Sequence, residues 1–316
     1  MAEKIATREA YGNALVEFAE DYDFVVLDAD LAAATKTGIF KKKYPERFFN
    51  CGIAEGNMMC VAAGIATTGK SVFASSFAMF AAGRAFEQIR NAIGYPKLNV
   101  KIAATHAGIS VGEDGATHQC LEDIALMRTI PGMVIVNPAD AVEARGAILA
   151  ALNYQGPMYI RLGRLAVPVY NDLSTYKFEL GKGICLKEGN DVTIVATGLM
   201  VDIAMNSAKL LAEKGINARV INIHTIKPLD KEIILKAASE TGAIVVAEEH
   251  NIIGGLGSAV TEAICEARPV PVLRVGTNDV YGRSGKVPPL LEHYGLTAEN
   301  IANKAELAIN LKNNIQ

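Results

Sequence analysis

Three short segments hold most of the residues able to do chemistry. The first, residues 51–90, reads CGIAEGNMMCVAAGIATTGKSVFASSFAMFAAGRAFEQIR. Its Glu55 stands among Ile53, Ala54, Gly56, Met58 and Met59 near the expected start of a helix. A carboxylate in apolar surroundings tends toward a raised pKa and can hold or share a proton near neutrality. The plainer reading is an acidic residue that complements a helix N-terminus. Phe77 and Phe80 follow on the next expected helix, three residues apart, as core side chains or as a platform for a flat ligand.

The second segment, THAGISVGEDGATHQCLED at 105–123, follows an apolar strand and places His106, Glu113, Asp114 and His118 among Gly108, Gly112 and Gly115. Glycines let a loop turn tightly and approach a ligand, and long loops in compact domains tend to be functional. His106 and His118 lack the i, i+4 spacing of helical metal ligands and no cysteine pair stands near them, so no metal site is expected in this chain. A polar site that hydrogen-bonds hydroxyls and phosphate fits better; a solvated loop is the alternative. The third segment, EEHNIIGGLGSAVTEAI at 248–264, passes from a strand through glycines into a helix. From Gly255 it reads GLGSAV, short of the final glycine of a GxGxxG fingerprint and outside the first strand–helix unit, so a tight structural turn is expected.

The elements that would position these segments alternate along the chain. Runs rich in Val and Ile predict buried parallel strands at 24–27, 72–74, 100–104, 134–136, 192–196, 218–223 and 244–247. Helices are expected at 8–20, 55–67, 78–93, 139–152, 202–214 and 231–239. This order predicts two doubly wound α/β domains with ligand sites at the carboxyl ends of strands. Periodicity lapses after residue 165, which places a linker at 166–180 between domains 1–165 and 181–316. The polar tail LKNNIQ is expected to fray.

Composition narrows the function. The chain has 316 residues and a net charge of −3, which argues against a broad nucleic-acid-binding face. The apolar run at 58–66 is too short to span a membrane, and the N-terminus lacks the apolar core of a signal peptide. Five separated cysteines, Cys51, Cys60, Cys120, Cys185 and Cys265, fit reduced thiols in a cytoplasmic protein.

Taken together, GIAEGNMMCVAAGIA, SSFAMFAAGRA, ATHAGISVGEDGATHQ and IPGMVIVNPAD occur in the order found in the transketolase family. The whole chain resembles the C-terminal half of that family, its pyrimidine-binding domain followed by its smaller C-terminal domain. The resemblance implies thiamine diphosphate as cofactor. Glu55 matches the glutamate that hydrogen-bonds a pyrimidine ring nitrogen, and Phe80, with Phe77 beside it, the stacking aromatic. His118 and Asp114 match residues at the substrate's reacting carbonyl and adjacent hydroxyl. Arg8, His106 and Arg164 match the cluster that holds the terminal phosphate, where guanidinium forks suit the anion. Glu55 and His118 are thus the expected catalytic residues, and the implied reaction moves a two-carbon ketol unit between sugar phosphates of pentose phosphate metabolism.

The magnesium-binding motif GDG…N of that family is not present, since Glu113 precedes Asp114-Gly115 and Asn137 opens an Asn-Pro turn. The resemblance therefore implies a split enzyme. A separate N-terminal subunit carrying GDG…N would hold Mg2+ (or Ca2+) and the diphosphate, in a heterotetramer or around a homodimer of this chain. The pattern departs from the family at Ala34, Gly83 and Ala107-Gly108, and Arg161 is an extra cation closer to deoxyxylulose-phosphate synthases. Two alternatives remain: the beta subunit of a 2-oxo acid dehydrogenase, and a non-catalytic scaffold of the same fold.

Overall fold

A computed structural model describes residues 3–315. In chain order the strands are β1 (Lys4–Ala6), β2 (Phe24–Asp28), β3 (Phe48–Asn50), β4 (Ser71–Phe77), β5 (Val100–Thr105), β6 (Val134–Val136) and β7 (Met158–Arg161). They continue with β8 (Ala166–Pro168), β9 (Ile184–Lys187), β10 (Val192–Ala196), β11 (Ala218–Asn222), β12 (Thr225–Lys227), β13 (Ile244–Asn251) and β14 (Val272–Thr277). The first sheet has the order β12-β6-β7-β5-β4-β2-β3 and the second β14-β13-β10-β11-β9. Within these two sheets the described pairs are parallel except β12 on β6 and β9 on β11 at one edge of each, and β1 and β8 form a separate antiparallel pair.

The central strands are β-branched and apolar because both faces are covered. Along β2, Phe24 and Val26 enter the core under the helix Thr7–Phe18, while Val25 and Leu27 face the helix Glu55–Ala66. The second of these cores does not stop at the domain boundary. It runs from Leu27, Met58 and Ile102 through Tyr159 to Ile223, Val246 and Leu256 of the second domain. Strand β12, supplied by the second domain, closes the edge of the first sheet, so each domain buries surface that the other would leave open.

Several expectations change in three dimensions. The helix expected at 78–93 is instead two wide π-type turns, Met79–Arg84 and Ile89–Gly94, around the short helix Phe86–Gln88. Phe77 lies not on that stretch but at the end of β4. The expected linker is tied down: Ala166–Pro168 pairs with β1, and Tyr170 and Asn171 donate their backbone N–H groups to Asp140 Oδ2 at 2.8 and 2.9 Å. Within the described residues the polar tail continues a helix. The helix Ala298–Ile315 runs through it, and Lys312 Nζ reaches the carbonyls of Asp191 and Thr241; residue 316 lies outside the described residues.

The turn at 254–257 is built around a carboxylate. Glu248, in the second half of β13, accepts from the N–H groups of Leu256 (2.6 Å) and Gly257 (2.8 Å) and so occupies the N-terminus of the helix Leu256–Ala267. A Cβ on Gly255 would collide with that carboxylate, which is why a glycine stands there.

Candidate active site

The carboxyl ends of three neighbouring parallel strands bring the first two segments together. Phe77 ends β4 in register with Thr105 of β5, so His106 emerges beside it; β7 leads through Gly163 to Arg164. His106 takes a left-handed backbone (φ 55°), which turns its ring back over Phe77, stacked with 3.9 Å between centroids. Phe77 in turn stacks on Phe80 at 5.7 Å and 15°. His118 meets the edge of Phe80 at 5.1 Å, its Nδ1 held by Thr117 Oγ1 at 2.9 Å.

Glu55 opens the helix Glu55–Ala66 and is 1% exposed. Its surroundings are not wholly apolar, because Arg84 donates to Glu55 Oε2 at 2.8 Å. The same guanidinium lies over the Phe80 ring at 4.8 Å, tying the carboxylate to the aromatic row. Arg84 carries a role that the sequence reading missed; its place four residues after Phe80, in a stretch expected to be helical, was the available signal. Glu55, Arg84, Phe80, Phe77 and His106 thus form one continuous surface with His118 along its edge.

A cluster of cations lies at the His106 end. Arg8, in the first turn of the helix Thr7–Phe18, donates to Ala34 O at 2.7 Å and meets His106 Nε2 at 3.2 Å. Arginine can only donate, so Nε2 accepts and Nδ1 carries the ring proton toward Thr105 Oγ1, 2.9 Å away. Burial, then Arg8, Arg164 and His118, push the His106 pKa down to about 3, and the ring is neutral. Burial and then Arg164 also pull Arg8 below its ordinary value. Arg164 donates to Val111 O, and among the described residues neither guanidinium is ion-paired with a carboxylate. Arg8 Nε is buried without a partner. Two close guanidiniums with donors to spare, beside a cleft of about 370 Å3 that also takes in Glu113 and Lys286, form a site that favours an anion.

Not every candidate joins this surface. Asp114 lies exposed at the end of the turn Ile109–Asp114, and among the described residues no hydrogen bond or ion pair joins it to the others. Two of the departures, Ala34 and Arg161, take structural roles. Ala34 contributes its carbonyl to Arg8. Arg161 is 3% exposed, with Nε on Asp123 Oδ2 at 2.8 Å and a second guanidinium nitrogen on the Glu249 carbonyl at 2.9 Å, so it ties the first domain to the second. Among the described residues no three His, Cys, Asp or Glu side chains are grouped as metal ligands, and no helix is long and apolar enough to cross a membrane.

Family models for the transketolase pyrimidine-binding domain and the transketolase C-terminal domain match residues 3–169 and 181–301. The chain belongs to the transketolase family. It is 52% identical over 300 residues to a Methanocaldococcus jannaschii protein provisionally named a transketolase C-terminal section, covering 94% of each chain. It is 44% identical to the 6-deoxy-6-sulfo-D-fructose transketolase subunit SqwH of Clostridium sp. strain MSTE9, covering 97% of this chain and 95% of that one. Among solved structures, a split-gene transketolase described as an inactive beta4 tetramer superposes with a TM-score of 0.91 at 55% identity, over 98% of this chain and 99% of that one.

Proposed function

We propose that this chain is the C-terminal subunit of a split, thiamine-diphosphate-dependent transketolase that moves a two-carbon ketol unit between sugar phosphates. The observation that carries this reading is the single surface joining Glu55 and Phe80 at one end to Arg8 and His106 at the other. A pyrimidine ring requires a carboxylate for a ring nitrogen and an aromatic face, and these residues fit that need. When bound, thiamine diphosphate supplies the acidic thiazolium carbon at which the two-carbon unit is carried.

The chain's own residues do the rest. Glu55, buried and held by Arg84, would share a proton with the pyrimidine nitrogen, its carboxyl donating to the bare nitrogen and its carboxylate accepting from the protonated one, and Phe80 and Phe77 give the ring a dry face. His118 stands at the edge of that face, where a sugar hydroxyl or carbonyl can exchange a hydrogen bond. Asp114, on the same loop, contacts the adjacent hydroxyl. Arg8, Arg164 and neutral His106 hold the terminal phosphate, Arg8 and Arg164 by charge and His106 by hydrogen bonding. A relative named for a sulfonated sugar supports an anionic tail on the substrate.

This chain contributes the pyrimidine side alone, so Mg2+ (or Ca2+) and the diphosphate fall to an N-terminal subunit carrying GDG…N. That assembly, a heterotetramer or one built around a homodimer of this chain, would work in cytoplasmic pentose phosphate metabolism. A similar chain described as an inactive beta4 tetramer supports dependence on the partner. The test is to assay ketol transfer from xylulose 5-phosphate with this chain alone and after mixing with a GDG…N subunit, cofactor and Mg2+. The expected result is turnover only in the mixture. Activity of the purified chain by itself would refute the split-subunit reading, and transfer from a 2-oxo acid to a lipoyl carrier instead would favour the dehydrogenase alternative.

A further inference from the structure

The Glu-Glu-His-Asn run at the end of β13 belongs to the second domain, yet three of its residues act on the first. Asn251 N donates to Leu121 O at 2.7 Å, and His250 Nε2 accepts from Ala125 N at 3.3 Å. Glu249, just before them in the strand, is 4% exposed and its Oε1 accepts from Ser110 N at 2.5 Å. Ser110 stands in the middle of the loop that runs from His106 to His118. Gly108 is pressed against the same carboxyl group: it holds φ +82°, and any Cβ there would collide with Glu249. Arg161 donates to the Glu249 carbonyl at 2.9 Å and fixes the backbone from which the side chain reaches. Gln119, at the far end of the loop, donates to Arg283 O of the second domain at 3.0 Å.

We propose that Glu249 is a positioning residue through which the C-terminal domain sets the conformation of the substrate loop and thereby the placement of His106, Asp114 and His118. The geometry favours this over simple adhesion between domains. Adhesion needs buried apolar area, which the shared core already supplies. A carboxylate buried to reach one backbone N–H, with a glycine reserved for its approach, specifies the path of the loop. The C-terminal domain then does more than pack. The kinetic consequence rests on the transketolase reading; the clamp itself does not.

The test compares three forms of the full chain: wild type, Glu249→Gln, which keeps an acceptor of the same reach, and Glu249→Met, which keeps the length and removes it. Hydrogen exchange is read on the isolated chain. Glu249→Met is expected to speed exchange in residues 106–119 by about tenfold, the scale of one charge-assisted hydrogen bond. Strands β10 and β11 should stay at the wild-type rate, and Glu249→Gln should restore protection of the loop. Unchanged loop exchange, or an equal rise throughout the second sheet, would overturn the clamp. If Glu249→Met does not fold, Glu249→Asp, one methylene short of Ser110, makes the same comparison.

The second arm uses the complex with its N-terminal partner, thiamine diphosphate and Mg2+. The acceptor-less variant is expected to raise the KM for a phosphorylated ketose by about tenfold while cofactor affinity holds, with rescue by Glu249→Gln. An unchanged KM, or an equal loss of cofactor affinity, would overturn the positioning role. If the wild-type complex shows no ketol transfer while the exchange result holds, the functional reading falls and the clamp stands.

Discussion

His106 shows how position decides what a side chain can do. Its φ of 55° and its stack on Phe77 put it against Arg8 with Arg164 nearby, and burial, followed by the repulsion of these arginines, keeps it neutral. It serves as an uncharged hydrogen-bonding partner, and the positive charge at that end comes from Arg8 and Arg164. Arg164→Ala is therefore expected to raise KM for phosphorylated sugars by about tenfold or more, with little change for unphosphorylated analogues. Equal effects on both substrates would remove Arg164 from the anion site. Glu55 sits at the other end of the surface, and Glu55→Ala is expected to lower kcat by about 10²–10⁴ with native circular dichroism. Turnover within about threefold of wild type would exclude the role given to its carboxylate.

Helix ends and loops carry the next level of organisation. Asp140 caps the helix Ala141–Asn153 through Glu143 N at 2.8 Å, and its second oxygen gathers the N–H groups of Tyr170 and Asn171 and the Asn171 amide. One carboxylate therefore starts a helix and anchors the segment that joins the domains. Asp140→Ala is expected to lower stability in urea unfolding by about 1–2 kcal/mol for the cap, and by more once the joining segment loses its acceptor. A loss below about 0.5 kcal/mol would mean that water replaces both sets of bonds. The wide turns after β4 are a second case. They replace the helix that the apolar spacing predicts, and within them Arg84 meets both Phe80 and Glu55.

At the scale of the molecule, the domains share a core, a sheet edge and a polar junction, and several titratable groups are buried among them. His106 and His224 are lowered from 6.5 to about 3 and about 4, chiefly by burial. Glu143 is raised from 4.5 to about 7, also by burial first. Between pH 6.5 and 4.5 the unfolded chain gains protons at both histidines that the fold does not take up, and this lowers stability as pH falls. Glu143 acts in the opposite sense, because the fold holds its proton where the unfolded chain does not. The histidines' contribution is a Tm that falls on acidification across this window, opposed by Glu143 and, in the same sense, by the raised carboxyls of Asp28 and Glu249, which burial lifts first. His106→Gln is expected to flatten the slope and Glu143→Gln to steepen it, both read by calorimetry. The opposite order of slopes would show that these groups do not govern the titration.

Much of this was legible in the residues alone. Strands at 24–27, 134–136 and 192–196 followed from β-branched runs whose two faces must both be buried. The family motifs singled out Glu55, Phe80, His106 and His118 in order. What the sequence could not show was which distant groups meet. Arg84 on Glu55, Arg161 on Asp123 and Glu249 on Ser110 join residues 29, 38 and 139 positions apart, and no local periodicity encodes such pairs. The short edge strands β3, β9 and β12 have too few residues to show alternation, so they exist only because a neighbouring strand offers its hydrogen bonds. Local sequence determined the elements and the chemical types, since propensity and burial pattern act over a few residues. The tertiary structure decided which charges are paired, which histidine is neutral and which domain holds the loop, since those depend on burial and on partners brought from elsewhere in the chain.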